Sequence, residues 1–167
     1  MHPKIVPIGV SARHVHLSSE HIEILFGPGA VLTKQKELTQ PHLFAANETV
    51  TVYGPKGFLP NVRVVGPPRR ETQLEITRSD GFLLGIDAPL RHSGDLDQTP
   101  GARIVGPAGE VILQKGVIVA ARHLHLHTSD AERWGIKHMQ MLKIRVGGAR
   151  GLVFDQVLAR VSDDFVL

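Results

Sequence analysis

Two short stretches of this sequence carry paired histidines whose spacing could do chemistry. Ile8-Gly-Val-Ser-Ala-Arg-His-Val-His-Leu17 and Val117-Ile-Val-Ala-Ala-Arg-His-Leu-His-Leu126 align without a gap and share Ala-Arg-His-x-His-Leu. In a strand, residues i and i+2 project from one face, about 6.6–6.8 Å apart along the chain. The spacing therefore groups His14 with His16 and His123 with His125, and turns Val15 and Leu124 to the opposite, core-facing side. Two imidazoles on one face can converge on a metal ion at about 2.0–2.1 Å from each nitrogen. A single such pair is ordinarily a hydrogen-bonded strand feature. The second copy, again followed at once by a helix cap, raises metal binding above that reading. Two ligands are too few for zinc, so each pair needs at least one more. Imidazoles with a carboxylate suit zinc, nickel, copper or iron better than calcium or magnesium.

Arg13 and Arg122 fall on the strand face away from their neighbouring histidines, where structural salt bridges are the ordinary role. His21, His42, His92 and His138 are isolated and read as surface residues. His127 extends the second array by two positions, but Ser18 stands at the matching place in the first copy.

The rest of the composition narrows the chemistry. The chain has 167 residues, 42% hydrophobic, with no cysteine. That excludes disulfides, thiolate zinc ligands and a cysteine nucleophile. Lys and Arg total 19 against 16 Asp and Glu, a weak bias toward anionic partners. Aromatics are 5% and basic residues form no run, which argues against nucleic acid. No apolar run approaches the ~18 residues of a membrane helix, and no secretory apolar segment is visible at the start.

The elements that must position these groups read as mainly β. Strands are expected at residues 48–53, 58–65, 72–77, 102–105, 110–113, 143–146 and 152–161, with Gly/Pro turns between them. Ser79-Asp-Gly81 reads as the turn that stops the third strand. Short helices are expected at 18–26, capped by a serine and stopped by Gly27, and at 128–134, stopped by Gly135. Ser129 and Glu132 have the spacing of a capping box in the second. Short, regularly spaced strands suggest barrels or a sandwich. The duplicated motif suggests two similar halves, pseudo-twofold related, each giving one copy to a shared site.

Several segments together resemble the PduL-type phosphate acyltransferases, also called phosphate propanoyltransferases. They are residues 7–18, Gly66-Pro-Pro-Arg-Arg-Glu-Thr-Gln-Leu-Glu75, Arg91-His-Ser-Gly94, residues 116–126 and residues 152–161. The likeness runs from about residue 5 to the end. It implies two small β-barrels with short capping helices and the active site between them. Barrel 1 would be discontinuous, from 2–12 and 121–167, and barrel 2 would span 13–120. His14, His16 and Glu75 would hold one zinc ion, and His123 and His125 a second. Arg69 would be the catalytic arginine beside phosphate. Ser11, Lys36 and Arg63 match positions that contact coenzyme A.

Taken alone, Glu75 reads as an ordinary exposed strand residue, and nothing separates Arg69 from Arg70. Only the resemblance, through its Gly-Pro-x-Arg spacing, selects Arg69. The sequence also departs from the family. A further zinc-binding histidine belongs in an acidic C-terminal stretch, and this sequence ends at Asp163-Asp-Phe-Val-Leu167, so the second metal has only two named ligands.

The implied reaction converts propanoyl-CoA or acetyl-CoA plus phosphate reversibly to acyl phosphate plus CoA. The implied assembly is a homodimer. The implied setting is the cytoplasm or the lumen of a bacterial microcompartment for propanediol degradation, although the sequence shows no targeting helix. Two other function classes use clustered histidines. A metal-dependent hydrolase could activate water, though amidohydrolase barrels need ~250 residues. A non-catalytic, cupin-like metal-binding β-domain could also use His-x-His, without duplicating it across two halves.

Overall fold

The structure is a computed structural model and describes residues 4–40 and 42–164. The outer ends of the first expected barrel, at residues 2 and 167, lie outside the described residues. The chain divides into two compact units. One runs from Ser11 to Ala120; the other combines the residues up to Val10 with those from Ala121 onward.

The larger unit contains β1 (His14–His16), α1 (Ser19–Phe26), β2 (Lys34–Glu37), β3 (Phe44–Tyr53), β4 (Phe58–Gly66), β5 (Gln73–Glu75), α2 (Arg78–Leu84), β6 (Leu90–Arg91), β7 (Ala102–Val105), β8 (Glu110–Leu113) and β9 (Val117–Ala120). Its strands join in the order β6-β9-β5-β1-β4-β3-β7-β8, with β2 added on β3. This sheet curls as a half-barrel. β1 lies inside the sheet, parallel to β4 and antiparallel to β5.

The period-two alternation of strands gives this sheet two distinct faces. Val15, Leu17, Leu74 and Ile76 enter a core with Ile22, Leu25, Val52, Val62, Val64, Leu84 and Ile104. His14, His16, Gln73 and Glu75 occupy the alternate positions of the same strands and so share the opposite face.

The smaller unit contains β10 (His123–Leu126), α3 (Thr128–Trp134), β11 (Met141–Val146) and β12 (Leu152–Val161). β12 is central, parallel to β10 and antiparallel to β11. Leu124 and Leu126 pack with Ala131 and Val157 in its core, leaving His123 and His125 on the alternate face. The mainly β class is as expected. No described helix is long and apolar enough to cross a membrane.

Two local expectations need correction. Ser79-Asp-Gly81 is the first part of a helix, not a turn. Thr77 caps it: its hydroxyl accepts from Asp80 N, and the Asp80 carboxylate accepts from Thr77 N at 3.0 Å. Gly81 is there because the chain folds back over it. A Cβ at this position would lie 2.7 Å from the carbonyl oxygen of Ile86. The second correction concerns α3, which is capped by His127 rather than Ser129. His127 Nδ1 accepts from Ser129 N at 3.2 Å. Ser18 caps α1 at the matching position of the first copy. The repeat therefore extends one residue past His-x-His-Leu, with a different capping group in each unit.

Candidate metal centre

In the larger unit the site is built by two antiparallel neighbours. β1 and β5 pair with His14 opposite Glu75 and His16 opposite Gln73. Residues directly opposite on one face have Cβ atoms about 4.5–5.5 Å apart, so four polar side chains are forced together. His14 Nε2 and His16 Nε2 are 3.2 Å apart. The Glu75 carboxylate reaches both, at 3.7 Å from His14 Nε2 and 3.9 Å from His16 Nε2. Among the described residues, His14, His16 and Glu75 are the one group of three whose ligand atoms could hold a metal, all within 4.8 Å of one another.

This donor set fits zinc. Two nitrogens bound to a tetrahedral ion at the usual bond lengths stand about 3.3–3.4 Å apart, close to the spacing seen. The protonation states also fit. His14 Nδ1 lies 2.8 Å from the Ala12 carbonyl oxygen. A carbonyl can only accept, so Nδ1 carries the proton and Nε2 keeps its lone pair. Burial lowers the pKa of His16 from 6.5 to about 2, and the neighbouring charges of Arg69 and His14 add to the effect. His16 therefore presents a ligand nitrogen at neutral pH, and the Ala12 carbonyl leaves Nε2 of His14 turned toward the cluster.

The smaller unit repeats this local geometry. His123 Nδ1 lies 2.9 Å from the Ala121 carbonyl oxygen. The His123 and His125 rings meet edge-on at 4.7 Å and 82°, against 4.9 Å and 84° for His14 and His16. Burial lowers the pKa of His125 from 6.5 to about 4, with His123 and Arg160 contributing. The Ala-Arg-His part of the motif thus has a purpose: the alanine carbonyl sets the tautomer of the first histidine in each pair. Among the described residues, His123 and His125 do not gather a third candidate ligand.

The arginines of the repeat face elsewhere, as expected. Arg13 Nη2 lies 2.7 Å from Asp80 Oδ1. Arg122 donates to the Asp155 carbonyl at 3.1 Å and lies over the Phe154 ring.

Arg69 follows the end of β4 and is held by its own backbone, which donates to the Leu17 carbonyl at 2.8 Å. Its charge bears on His16, and its Nη1 donates to Ser93 Oγ at 3.0 Å. Arg70 is exposed, and together with Arg69, Ser18, His21, Thr72 and Lys115 it lines a cleft of about 590 Å³. His21, expected at the surface, is half-buried and bonds Thr72 Oγ1 at 2.7 Å.

Arg63 is the parallel neighbour of His14 and donates to the carbonyls of Ala46 and Asn47, each at 2.9 Å. Lys36 lies on exposed β2 opposite Ala45, whose partner on β4 is Val65. Register thus carries Lys36 to the sheet face that bears Arg63. Ser11 is exposed ahead of β1 and only grazes the neighbouring Ala12 carbonyl, at 3.5 Å.

Two residues with a part in this site carry no role from the sequence reading. Gln73 is 1% exposed and bonds Glu75 Oε1 at 2.6 Å. Ser93 bonds both Gln73 and Arg69. Gln73 was findable, since it stands two residues before Glu75 and must share its face. Ser93 comes from a distant loop; it stands in the Arg91-His-Ser-Gly94 segment that carries the family likeness, but that segment alone assigns it no role.

The model of the family described as phosphate propanoyltransferase matches residues 7–167. A phosphate propanoyltransferase of Thermotoga maritima is 56% identical over 161 residues, covering 96% of this chain and 77% of that one. One from Rhodopseudomonas palustris is 53% identical, covering 96% of this chain and 71% of its own. One from Salmonella typhimurium is 48% identical over 168 residues, covering 100% and 80%.

Proposed function

The chain belongs to the phosphate propanoyltransferase family, and on that premise we propose that it moves a short-chain acyl group reversibly between coenzyme A and inorganic phosphate with two zinc ions, one on each histidine pair. It is an acyltransferase, taking acyl-CoA and phosphate to acyl phosphate and CoA. The observation that carries the finer reading is the meeting of His14 Nε2, His16 Nε2 and the Glu75 carboxylate beside a cationic Arg69. Propanoyl-CoA or acetyl-CoA as donor and a homodimer as assembly belong to the same reading.

The reaction needs one bond made and one broken. A phosphate oxygen bonds to the thioester carbonyl carbon, the carbon–sulfur bond breaks, and the proton of hydrogen phosphate ends on the CoA sulfur. Phosphate is a weak, strongly hydrated nucleophile, so its capture and orientation are what the protein must supply. Bound zinc would supply Lewis acidity toward phosphate oxygens and affinity for the departing thiolate. His14, His16 and Glu75 would hold the first ion, and His123 and His125 the second. The Ala12 and Ala121 carbonyls orient the first imidazole of each pair, and burial keeps His16 and His125 neutral. Arg69 offers a planar fork for phosphate oxygens and for the negative charge that grows in the transition state. Arg63 and Lys36 would neutralise the phosphates of CoA, and Ser11 would contact it.

Release of thiol from propanoyl-CoA tests this directly, with acyl phosphate measured in parallel. Release that requires phosphate and yields acyl phosphate in equal amount is the expected result. Release without phosphate would make the protein a hydrolase. Metal-loaded protein with no turnover would make it a binding domain.

A further inference from the structure

The lysines of this chain differ in how their amines are engaged. Lys34 pairs with Glu37 at 2.6 Å and lies over the Phe44 ring. Lys115 pairs with Glu71 and Lys143 with Asp155, each at 3.0 Å. Lys4 donates to the Trp134 carbonyl. A nitrogen held in such a contact must leave it before its lone pair can attack a carbonyl. The Lys36 side chain, on exposed β2, makes no hydrogen bond or ion pair among the described residues. Lys56, in the turn between β3 and β4, and Lys137, in the smaller unit, are exposed and unpaired in the same way.

Register separates Lys36 from the other two. His14 stands beside Arg63. Val65 follows Arg63 by two residues and shares its face. Val65 pairs with Ala45, and Ala45 pairs with Lys36. Lys36 thus belongs to the sheet face that carries the histidine–glutamate cluster. It lies three strand spacings from β1, about 14–15 Å at 4.7–4.9 Å for each. Acyl phosphate, the product of the family reaction, is both an anion and an acylating agent. Arg63 and Lys36 set positive charge on the face where the cluster would release it.

We propose that Lys36 is a site of self-acylation: the acyl phosphate made by this chain acylates its amine, and the resulting amide weakens the binding of CoA. The inference rests on the reading that Lys36 meets the phosphates of CoA. The step balances without a further reactant. The unprotonated Lys36 Nζ bonds to the carbonyl carbon, the bond from that carbon to the phosphate oxygen breaks, and the amine proton leaves with the phosphate. The amide carries no charge, so it cannot neutralise a CoA phosphate. CoA lying over Lys36 would shield the amine. The modification therefore accumulates when acyl phosphate is abundant and CoA is scarce, and it slows the capture of more acyl-CoA.

The test incubates the full chain, with its metal as purified, with acetyl phosphate and follows each lysine by site-resolved mass spectrometry. Lys36 should gain an acetyl group at least about fivefold faster than Lys56 and Lys137, which are equally unpaired, and faster still than Lys34, Lys115 and Lys143. Saturating CoA should slow labelling of Lys36 and leave Lys56 and Lys137 unaffected. The labelled protein should show a KM for propanoyl-CoA raised about three- to thirtyfold, the range for losing one partly exposed contact to a charged group. Its KM for phosphate should not change. Lys36→Gln, an uncharged stand-in for the amide, should raise the same KM by a similar factor. Lys36→Arg keeps a cation but has no amine to acylate, so pre-incubation should leave its KM wherever it began.

Labelling of Lys36 no faster than that of Lys56 and Lys137 overturns the proposal and leaves the family reaction standing. So does a rise in KM after pre-incubation that is equal in Lys36→Arg, since another residue would then be responsible. A KM for propanoyl-CoA unchanged in Lys36→Gln, with no protection of Lys36 by CoA, would instead remove the premise that CoA lies over this residue.

Discussion

Arg13, the residue before the first motif histidine, is locked to Asp80 through a 2.7 Å ion pair in which the carboxylate is 1% exposed. The same carboxylate closes the capping box of α2 by accepting from Thr77 N. One buried group therefore joins the start of β1 to the N-terminus of a helix that follows β5. Both strands that bring the candidate ligands together are tied at one point, on the side away from the histidines. In the smaller unit Arg122 does comparable work through a backbone carbonyl and an aromatic ring.

Asp80→Ala should lower stability by about 2–4 kcal/mol, because it removes a helix cap and a charge-assisted hydrogen bond together. Arg13 is 43% exposed and regains water, so no buried charge is stranded. For a chain of this size that is a fall of roughly 5–15 °C in the unfolding midpoint. Asp80→Asn keeps a capping oxygen and should lose less. Calorimetry of both variants checks this, and a midpoint within 1 °C for Asp80→Ala would rule the tie out.

Metal content should follow the ligand geometry. The intact protein should approach two zinc per chain, or one where the second pair lacks its third ligand. His16→Ala and Glu75→Gln should each remove the equivalent held at β1 and β5. His123→Ala should leave that equivalent in place. Chelation should lower the unfolding midpoint, since an ion that binds only the folded chain stabilises it by mass action. Elemental analysis of the purified variants decides between these patterns.

Gly81→Ala sets helix propensity against packing. Alanine gains up to about 1 kcal/mol over glycine inside a helix. Here its Cβ would meet the Ile86 carbonyl at 2.7 Å, and backbone cannot swing aside as a side chain can. Packing should win, with a net loss of about 1–3 kcal/mol. A denaturant midpoint equal to or above that of the unsubstituted protein would contradict the close approach.

The paired motif made the chemistry legible because period-two geometry leaves no other way to arrange His-x-His in a strand. Val15 and Leu124 in the two cores follow from the same alternation. Glu75 was legible only through family likeness, because its meeting with His14 depends on the register between two strands, which no local pattern specifies. α2 was missed because Gly81 and Ser79 look like a turn, although Thr77 and Asp80 have capping-box spacing. The His127 cap was missed because histidine is an unusual capping group. Ser93 lies in a loop far along the chain, and only the folded structure brings it to Arg69.

Arg69 and Arg70 are adjacent in sequence but differ in setting, and this gives a paired test. Arg69 is half-buried, its backbone is pinned to Leu17, and its guanidinium reaches Ser93 and bears on His16. Arg70 is exposed. Arg69→Ala should lower kcat/KM for phosphate by about a hundredfold or more, the scale for removing a donor to developing transition-state charge. Zinc content and the unfolding midpoint should change little. Arg69→Lys should recover only part of the loss, since an ammonium keeps the charge without the planar fork. Arg70→Ala should stay within a few-fold of the unsubstituted protein. Steady-state kinetics on the three variants separates the two residues. Comparable losses in Arg69→Ala and Arg70→Ala would point to diffuse positive charge rather than one positioned guanidinium.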